Sequence, residues 1–148
     1  MCGIVAAVAQ RNVQGILLEG LKRLEYRGYD SSGMTVLNSG VLTRHRALGK
    51  VAALAEQLDA AALPGNSGIA HTRWATHGKP SEDNAHPHAN DKVAVVHNGI
   101  IENYAALKKE LEENQARFET ETDTEVIVHL VDHYLKQGKS PQEAANAT

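Results

Sequence analysis

The sequence predicts an α+β domain, and three observations carry that prediction. Two β-rich runs flank Asn38-Ser39-Gly40, the mark of a hairpin. Val13, Ile16, Leu17, Leu21 and Leu24 recur at helical spacing. A strongly apolar run, Lys92 to His97, leads into a second helical stretch.

The elements follow in order. Cys2 to Ala9 is small, apolar and partly β-branched, and reads as a buried strand. A helix over Val13 to Leu24 follows, and Arg27-Gly28-Tyr29-Asp30-Ser31-Ser32-Gly33 then breaks the periodicity with turn residues. The hairpin joins Met34–Leu37 to Val41–Arg46. Val51 to Leu63 is an Ala-rich helix closed by Pro64-Gly65, and Ser67 to Thr72 is a buried strand. Arg73 to Asp91 is a long loop, a kind of segment that is usually functional or disordered. The Lys92–His97 strand runs through Asn98-Gly99 into a helix from Glu102 to Glu113. Thr122 to Gln137 is a further helix, with Thr122 and Glu125 spaced as a capping box. Ser140-Pro141-Gln142-Glu143 opens a last helix in the same way, with Pro at its first position. The chain stops at Thr148, soon after that start, which suggests a piece of something longer.

Composition bounds the function. A chain of 148 residues with 42% apolar and 22% charged residues is one ordinary globular domain. A net charge of −3 favours neither nucleic acid nor an anionic membrane. No apolar run approaches a membrane span, and the N-terminus lacks the basic and apolar regions of a secretion signal. The single cysteine, Cys2, excludes an internal disulfide framework and fits a reducing cytoplasm.

That cysteine is the most informative residue. Methionine aminopeptidase usually removes Met1 before a residue as small as Cys, which would place a thiol and a free α-amine on one residue. Both groups, as classes, titrate within reach of neutral pH. An N-terminal amine activating its own side chain is an established route to a nucleophile. The plainer reading is a small buried thiol in a core strand.

Three other clusters stand out. Arg27-Gly28-Tyr29-Asp30-Ser31-Ser32-Gly33 reads as a turn. His71-Thr72-Arg73-Trp74-Ala75-Thr76-His77-Gly78 sets an Arg at the end of a buried strand, where it could grip a carboxylate with two hydrogen bonds or form a surface ion pair. In His97-Asn98-Gly99-Ile100-Ile101-Glu102-Asn103, Asn98-Gly99 is either a tight turn or an oxyanion hole made of a side-chain amide and a Gly N–H. No metal is expected. His86-Pro87-His88 and the His129/His133 pair each offer two imidazoles, short of the three or four ligands zinc needs. No Gly-x-Ser-x-Gly, Gly-x-Gly-x-x-Gly or P-loop occurs, so no nucleotide or other cofactor is expected.

These clusters, together with Arg23-Leu24-Glu25-Tyr26 before the second and Glu121-Thr122-Asp123-Thr124-Glu125, resemble the N-terminal-nucleophile glutamine amidotransferases over essentially the whole chain. The Glu-Tyr-Arg-Gly-Tyr-Asp form of the second motif resembles the hexosamine-forming branch, the glutamine–fructose-6-phosphate aminotransferases. The resemblance implies a four-layer αββα sandwich of two antiparallel sheets between helical layers, truncated at its C-terminal end. Residues 1–148 would then form a glutaminase domain without the sugar-isomerase domains that follow it in the family.

The resemblance also implies roles. Cys2, freed of Met1, would attack the side-chain amide of L-glutamine, with its α-amine as base. Asn98 and Gly99 would hold the oxyanion. Arg73 would take the substrate carboxylate, with Thr76 and His77 nearby, and Asp123 the substrate ammonium. Trp74 would lie near the ammonia exit and His86 in the loop covering glutamine, with Arg27 in support. Fructose 6-phosphate would be reached only through the absent isomerase domains, and a homodimer only through the full-length enzyme. Ala6 stands where many relatives carry Gly, beside the nucleophile strand. Two alternatives stay open: an amidotransferase with another ammonia acceptor, such as a phosphoribosyl compound, and a non-catalytic fragment serving as a binding module.

Overall fold

The computed structural model describes residues 2–75 and 78–148. Four strands form its main sheet: β1 (Gly3–Val8), β2 (Ser31–Asn38), β3 (Val41–Leu48) and β4 (Ser67–Arg73). Their order is β1-β4-β2-β3, and every neighbouring pair is antiparallel. The β2–β3 hairpin turns on Ser39 and Gly40, at φ 50° and 83°; positive φ at both central positions matches the twist of the flanking strands.

Alternation along the strands gives the sheet two distinct faces. Val5, Ala70, Met34 and Ala47 share one face, since Val5 pairs with Ala70 and Ala70 with Met34, while Ala47 pairs with Ser32 two residues from Met34. Helices α1 (Gln14–Leu24) and α2 (Val51–Ala60) pack there, contributing Leu17, Leu21, Val51, Leu54 and Leu58 to a buried apolar core. A single 3₁₀ turn, Glu25–Arg27, follows α1, and its Glu25 carboxylate accepts the Val51 N–H at 2.7 Å, satisfying a donor at the start of α2.

The other face carries His71, Arg73, Gly33 and Arg44. It is covered in part by the segment around His86, Pro87 and His88, which leads into β5 (His88–Ala89) and its antiparallel partner β6 (Ala94–Val95). Arg44 Nη1 donates to the Pro87 carbonyl at 3.2 Å, and Arg46 Nη1 to that of Asp83 at 2.8 Å. Helix α3 (Tyr104–Glu113) packs on α4 (Glu125–Lys136), and α4 in turn packs on β5, β6 and α5 (Pro141–Ala147).

Gly33 makes this layering possible. A β-carbon there would collide with the His86 carbonyl oxygen and stand 2.9 Å from that of His45. Gly33→Ala is therefore expected to cost about 1–3 kcal/mol through overpacking against rigid backbone, read as a lower urea midpoint at unchanged slope. An unshifted midpoint would mean that the two layers separate at little cost.

The structure departs from the sequence reading at several points, among them β5, which lies inside the expected Arg73–Asp91 loop. The Cys2–Ala9 strand is not buried: β1 is an edge strand, with Ile4 40% and Val8 85% exposed on its second face. Ser31, Ser32 and Gly33 belong to β2 rather than to the preceding turn. The Lys92–His97 strand shrinks to Ala94–Val95, because Asn90 Oδ1 takes the N–H groups of Lys92 and Val93 and closes a turn before them. Thr122 and Glu125 form no capping box. Glu125 instead accepts the N–H groups of Glu119 and Thr120, each at 2.8 Å, and α4 begins three residues later than Thr122. The box at Ser140 and Glu143 has both of its hydrogen bonds. Among the described residues, no helix is long and apolar enough to cross a membrane.

Candidate active site

Cys2 enters β1 half-buried. The Trp74 N–H donates to its sulfur at 3.2 Å, and the sulfur stands 3.5 Å from the Trp74 carbonyl. The nucleophile candidate is thus clamped to the end of β4 by backbone, while the Gly3 N–H is held by Thr72 Oγ1 at 3.1 Å.

Around the sulfur opens a cavity of about 610 Å³ lined by Cys2, Arg27, His71, Arg73, Trp74, His86, His97, Asn98, Gly99, Ile100, Thr122, Asp123 and Thr124. It brings together eight of the residues singled out in the sequence: Cys2, Arg27, Arg73, Trp74, His86, Asn98, Gly99 and Asp123. Thr76 and His77 lie outside the described residues, as does Met1. Ala6 is exposed and does not line the cavity.

Arg73 and Asp123 are both buried, and each has a protein partner. Arg73 Nη1 lies 3.6 Å from Asp30 Oδ1, and its Nη2 donates to the Gly78 carbonyl at 3.2 Å. Asp30 also accepts the Ala75 N–H. The second motif therefore braces Arg73 and the strand end from below. Asp123 Oδ2 accepts the Ile101 N–H at 2.7 Å, which ties the segment after Gly99 to the start of α4 and leaves the carboxylate with further acceptor capacity.

Asn98 and Gly99 join no two strands as a hairpin; they lie in the irregular link from β6 to α3, with a bend at Gly99. Asn98 Nδ2 donates to the Cys2 carbonyl at 3.2 Å, and Asn98 Oδ1 stands 2.7 Å from His71 Nε2. Trp74 owes its seat to Gly28. That glycine has φ 100°, and a β-carbon on it would come within 2.5 Å of the indole.

His71 and His86 line the cavity, and His88, also buried, stands behind His86. His71 stacks on His86 at 4.3 Å between centroids, and His86 meets His88 edge-on at 4.4 Å. His88 Nε2 is 2.9 Å from Thr122 Oγ1, and the His97 N–H reaches His86 Nδ1 at 3.4 Å. Burial lowers His71 to about 4, against the pull of its bond to Asn98. Burial likewise lowers His88 to about 3, with Glu125 opposing, and His86 well below the ordinary imidazole range. All three are neutral near pH 7.

His71, His97 and Thr124 had no assigned role in the sequence, although His71 and His97 head two of the motifs. Nothing local marks a buried histidine as part of a site. The other histidine pair points elsewhere: His129 packs on Phe118 at 4.4 Å, while His133 reaches Gln137 at 2.8 Å. Among the described residues, no group of three or more His, Cys, Asp or Glu side chains converges as a metal site would require. A second cavity of about 540 Å³ lies between β3, β5 and α4, walled by Arg44, Arg46, Arg117, Glu119, Glu125 and His129.

Residues 71–146 match the family model described as a glutamine amidotransferase domain. The chain is 60% identical over 145 residues to the glutamine–fructose-6-phosphate aminotransferase (isomerizing) of Shigella flexneri and to that of Escherichia coli (strain K12), covering 97% of this chain and 24% of each relative. The corresponding protein of Bradyrhizobium diazoefficiens is 57% identical over 148 residues, again with 24% of its length covered. The chain thus spans about a quarter of the length of these relatives. Among solved structures, the allosteric regulatory enzyme of purine biosynthesis superposes with a TM-score of 0.82 at 25% identity, over 98% of this chain and 32% of that one. The glutamine phosphoribosylpyrophosphate amidotransferase of B. subtilis superposes at 0.80 and 24% identity, over 98% and 31%. The chain shares its α+β fold with both of these solved structures.

Proposed function

Because the chain belongs to the glutamine amidotransferase domain family, we propose that Cys2 is the nucleophile by which it releases ammonia from the side chain of L-glutamine. One observation supports this above the others: Cys2, Arg73, Asn98, Gly99 and Asp123, drawn from four separate stretches of chain, line a single cavity.

Loss of Met1 frees the Cys2 α-amine, which takes the thiol proton as the sulfur attacks the amide carbon. The resulting oxyanion is received by the Asn98 carboxamide and the Gly99 N–H, two donors on residues that line the same cavity as Cys2. The proton returns to the leaving nitrogen, ammonia departs, and a γ-glutamyl thioester remains. Water adds to the thioester carbon, the C–S bond breaks, and glutamate leaves with the thiol restored. Arg73 and Asp123 supply the cation and anion that a zwitterionic amino acid needs; Thr76 and His77, outside the described residues, are assigned to the same substrate site through their motif alone. Trp74 borders the ammonia exit, and His86 belongs to the loop over glutamine, with Arg27 in support of that loop.

At the level of the whole protein, residues 1–148 belong to a glutaminase domain built as a four-layer αββα sandwich. The 60% identity to glutamine–fructose-6-phosphate aminotransferases favours fructose 6-phosphate as the ammonia acceptor, reached through domains outside this chain, with glucosamine 6-phosphate as product. A cytoplasmic homodimer belongs to the same reading.

Intact mass before and after a diazoketone analogue of glutamine tests it. The expected result is a chain lacking Met1 that gains one adduct, located on Cys2. A chain lacking Met1 that gains none at saturating reagent, or gains it elsewhere, rejects Cys2 as the nucleophile.

A further inference from the structure

We infer that His71 is a positioning residue for Asn98: its Nε2–H holds the carboxamide so that the NH₂ group, and not the oxygen, faces the Cys2 side of the cavity. The inference rests on the oxyanion role proposed above for Asn98.

The argument starts from an atom whose chemistry is fixed. The Cys2 carbonyl oxygen can only accept, so the Asn98 atom 3.2 Å from it must be the nitrogen. The Asn98 oxygen then faces His71 at 2.7 Å, and since it too only accepts, His71 Nε2 must carry a hydrogen. A neutral imidazole has a single N–H, and burial keeps His71 neutral near pH 7. That one hydrogen therefore sits on Nε2, the nitrogen that faces Asn98.

The ring is held still for this purpose. His71 is 1% exposed in β4, the strand flanked by β1 and β2. It stacks on His86, which meets His88, and His88 is in hydrogen-bond reach of Thr122. Asn98, by contrast, is exposed in a stretch without regular structure. Among the described residues, its carboxamide has only His71 and the Cys2 carbonyl as partners. Without the imidazole, a half-turn of the amide would aim its oxygen at the developing negative charge, replacing attraction by repulsion.

Glutamine hydrolysis by His71→Leu and His71→Gln, compared with the wild type, tests the inference. Loss of an oxyanion donor lowers kcat by roughly 100- to 1,000-fold; misorientation for part of the time should give about 10- to 100-fold in His71→Leu, with KM for glutamine nearly unchanged. The amide nitrogen of Gln reaches about as far as imidazole Nε2, so His71→Gln should recover most of that loss. Equal losses in the two variants, a rise in KM alone, or a wild-type kcat in His71→Leu would each overturn the inference. If His71→Leu fails to fold, the ¹⁵N long-range spectrum of the wild-type imidazole decides. An Nε2–H tautomer is expected there, and an Nδ1–H tautomer overturns the inference. A wild-type protein that does not hydrolyse glutamine at all would instead overturn the proposed function itself, while the tautomer would still report the hydrogen bond.

Discussion

Cys2→Ala is expected to lower glutamine hydrolysis by at least about 10⁴-fold, since removing a nucleophile abolishes the covalent route rather than slowing it. The fold should be little affected. Cys2 is half-buried at the entry to an edge strand, so the change removes one sulfur from the cavity wall and leaves no deep void. The Trp74 N–H loses its sulfur acceptor, but it lies beside an open cavity where water can replace it. The β1–β4 pairing, which begins at Gly3 and Thr72, is untouched. Steady-state ammonia release from wild type and variant, with a urea melt of each, separates the outcomes. Turnover within tenfold of wild type at equal stability would remove Cys2 from the chemistry. A lower melt with lost turnover would leave the site unformed rather than disarmed.

The second large effect is on acid stability. His71, His86 and His88 are all held neutral by burial, the first at about 4 and the last at about 3. An imidazole in the unfolded chain titrates near 6.5. Below that pH the unfolded state binds more protons than the folded one, so stability must fall as pH falls. Each histidine contributes a slope approaching about 1.4 kcal/mol per pH unit between its unfolded and folded values. Three acting together can exhaust an ordinary domain's stability within a few units below pH 6.5. Glu125 adds to the loss at lower pH. Burial alone would raise it, but the His129 imidazole 3.5 Å away and hydrogen bonds from Glu119 and Thr120 bring it down to about 2. It therefore stabilises above its unfolded value near 4.5, and that contribution disappears as pH falls towards 2. Urea unfolding at pH 7, 6, 5 and 4 measures the slope. A flat profile between 7 and 5 would mean that the stack is solvated, with protons entering it freely in the folded protein.

The parts legible in the sequence were those set by local chemistry. Asn38-Ser39-Gly40 announced its hairpin because the turn needs residues tolerant of positive φ. Ser140 announced a cap because both of its hydrogen bonds close within four residues. Thr122 and Glu125 carry the same spacing, yet Glu125 is taken by the backbone of Glu119 and Thr120, a competition that spacing does not express. In β1, Gly-Ile-Val-Ala-Ala-Val is apolar on both faces, so the pattern could not tell an edge strand from a buried one. The candidate site was legible residue by residue through its motifs. Its convergence was not, because Cys2 and Asp123 meet only through the pairing of distant strands and the docking of α4. Nothing in its own motif marks His71, since its partner lies 27 residues away.

The pairing of Gly3 with Thr72 has one more consequence. Extended by a single step, it sets Cys2 against Arg73, on the same face of the sheet as His71. The sulfur is thus indexed from the middle of the sheet, six paired residues away from the free end of β1 at Val8. Because strand faces alternate, one inserted or deleted residue between Cys2 and Val8, unless absorbed as a bulge, would swing the sulfur towards the packed helices. The spacing from reactive atom to sheet is a count of residues with no half-steps, and length variation in this family must be accommodated elsewhere.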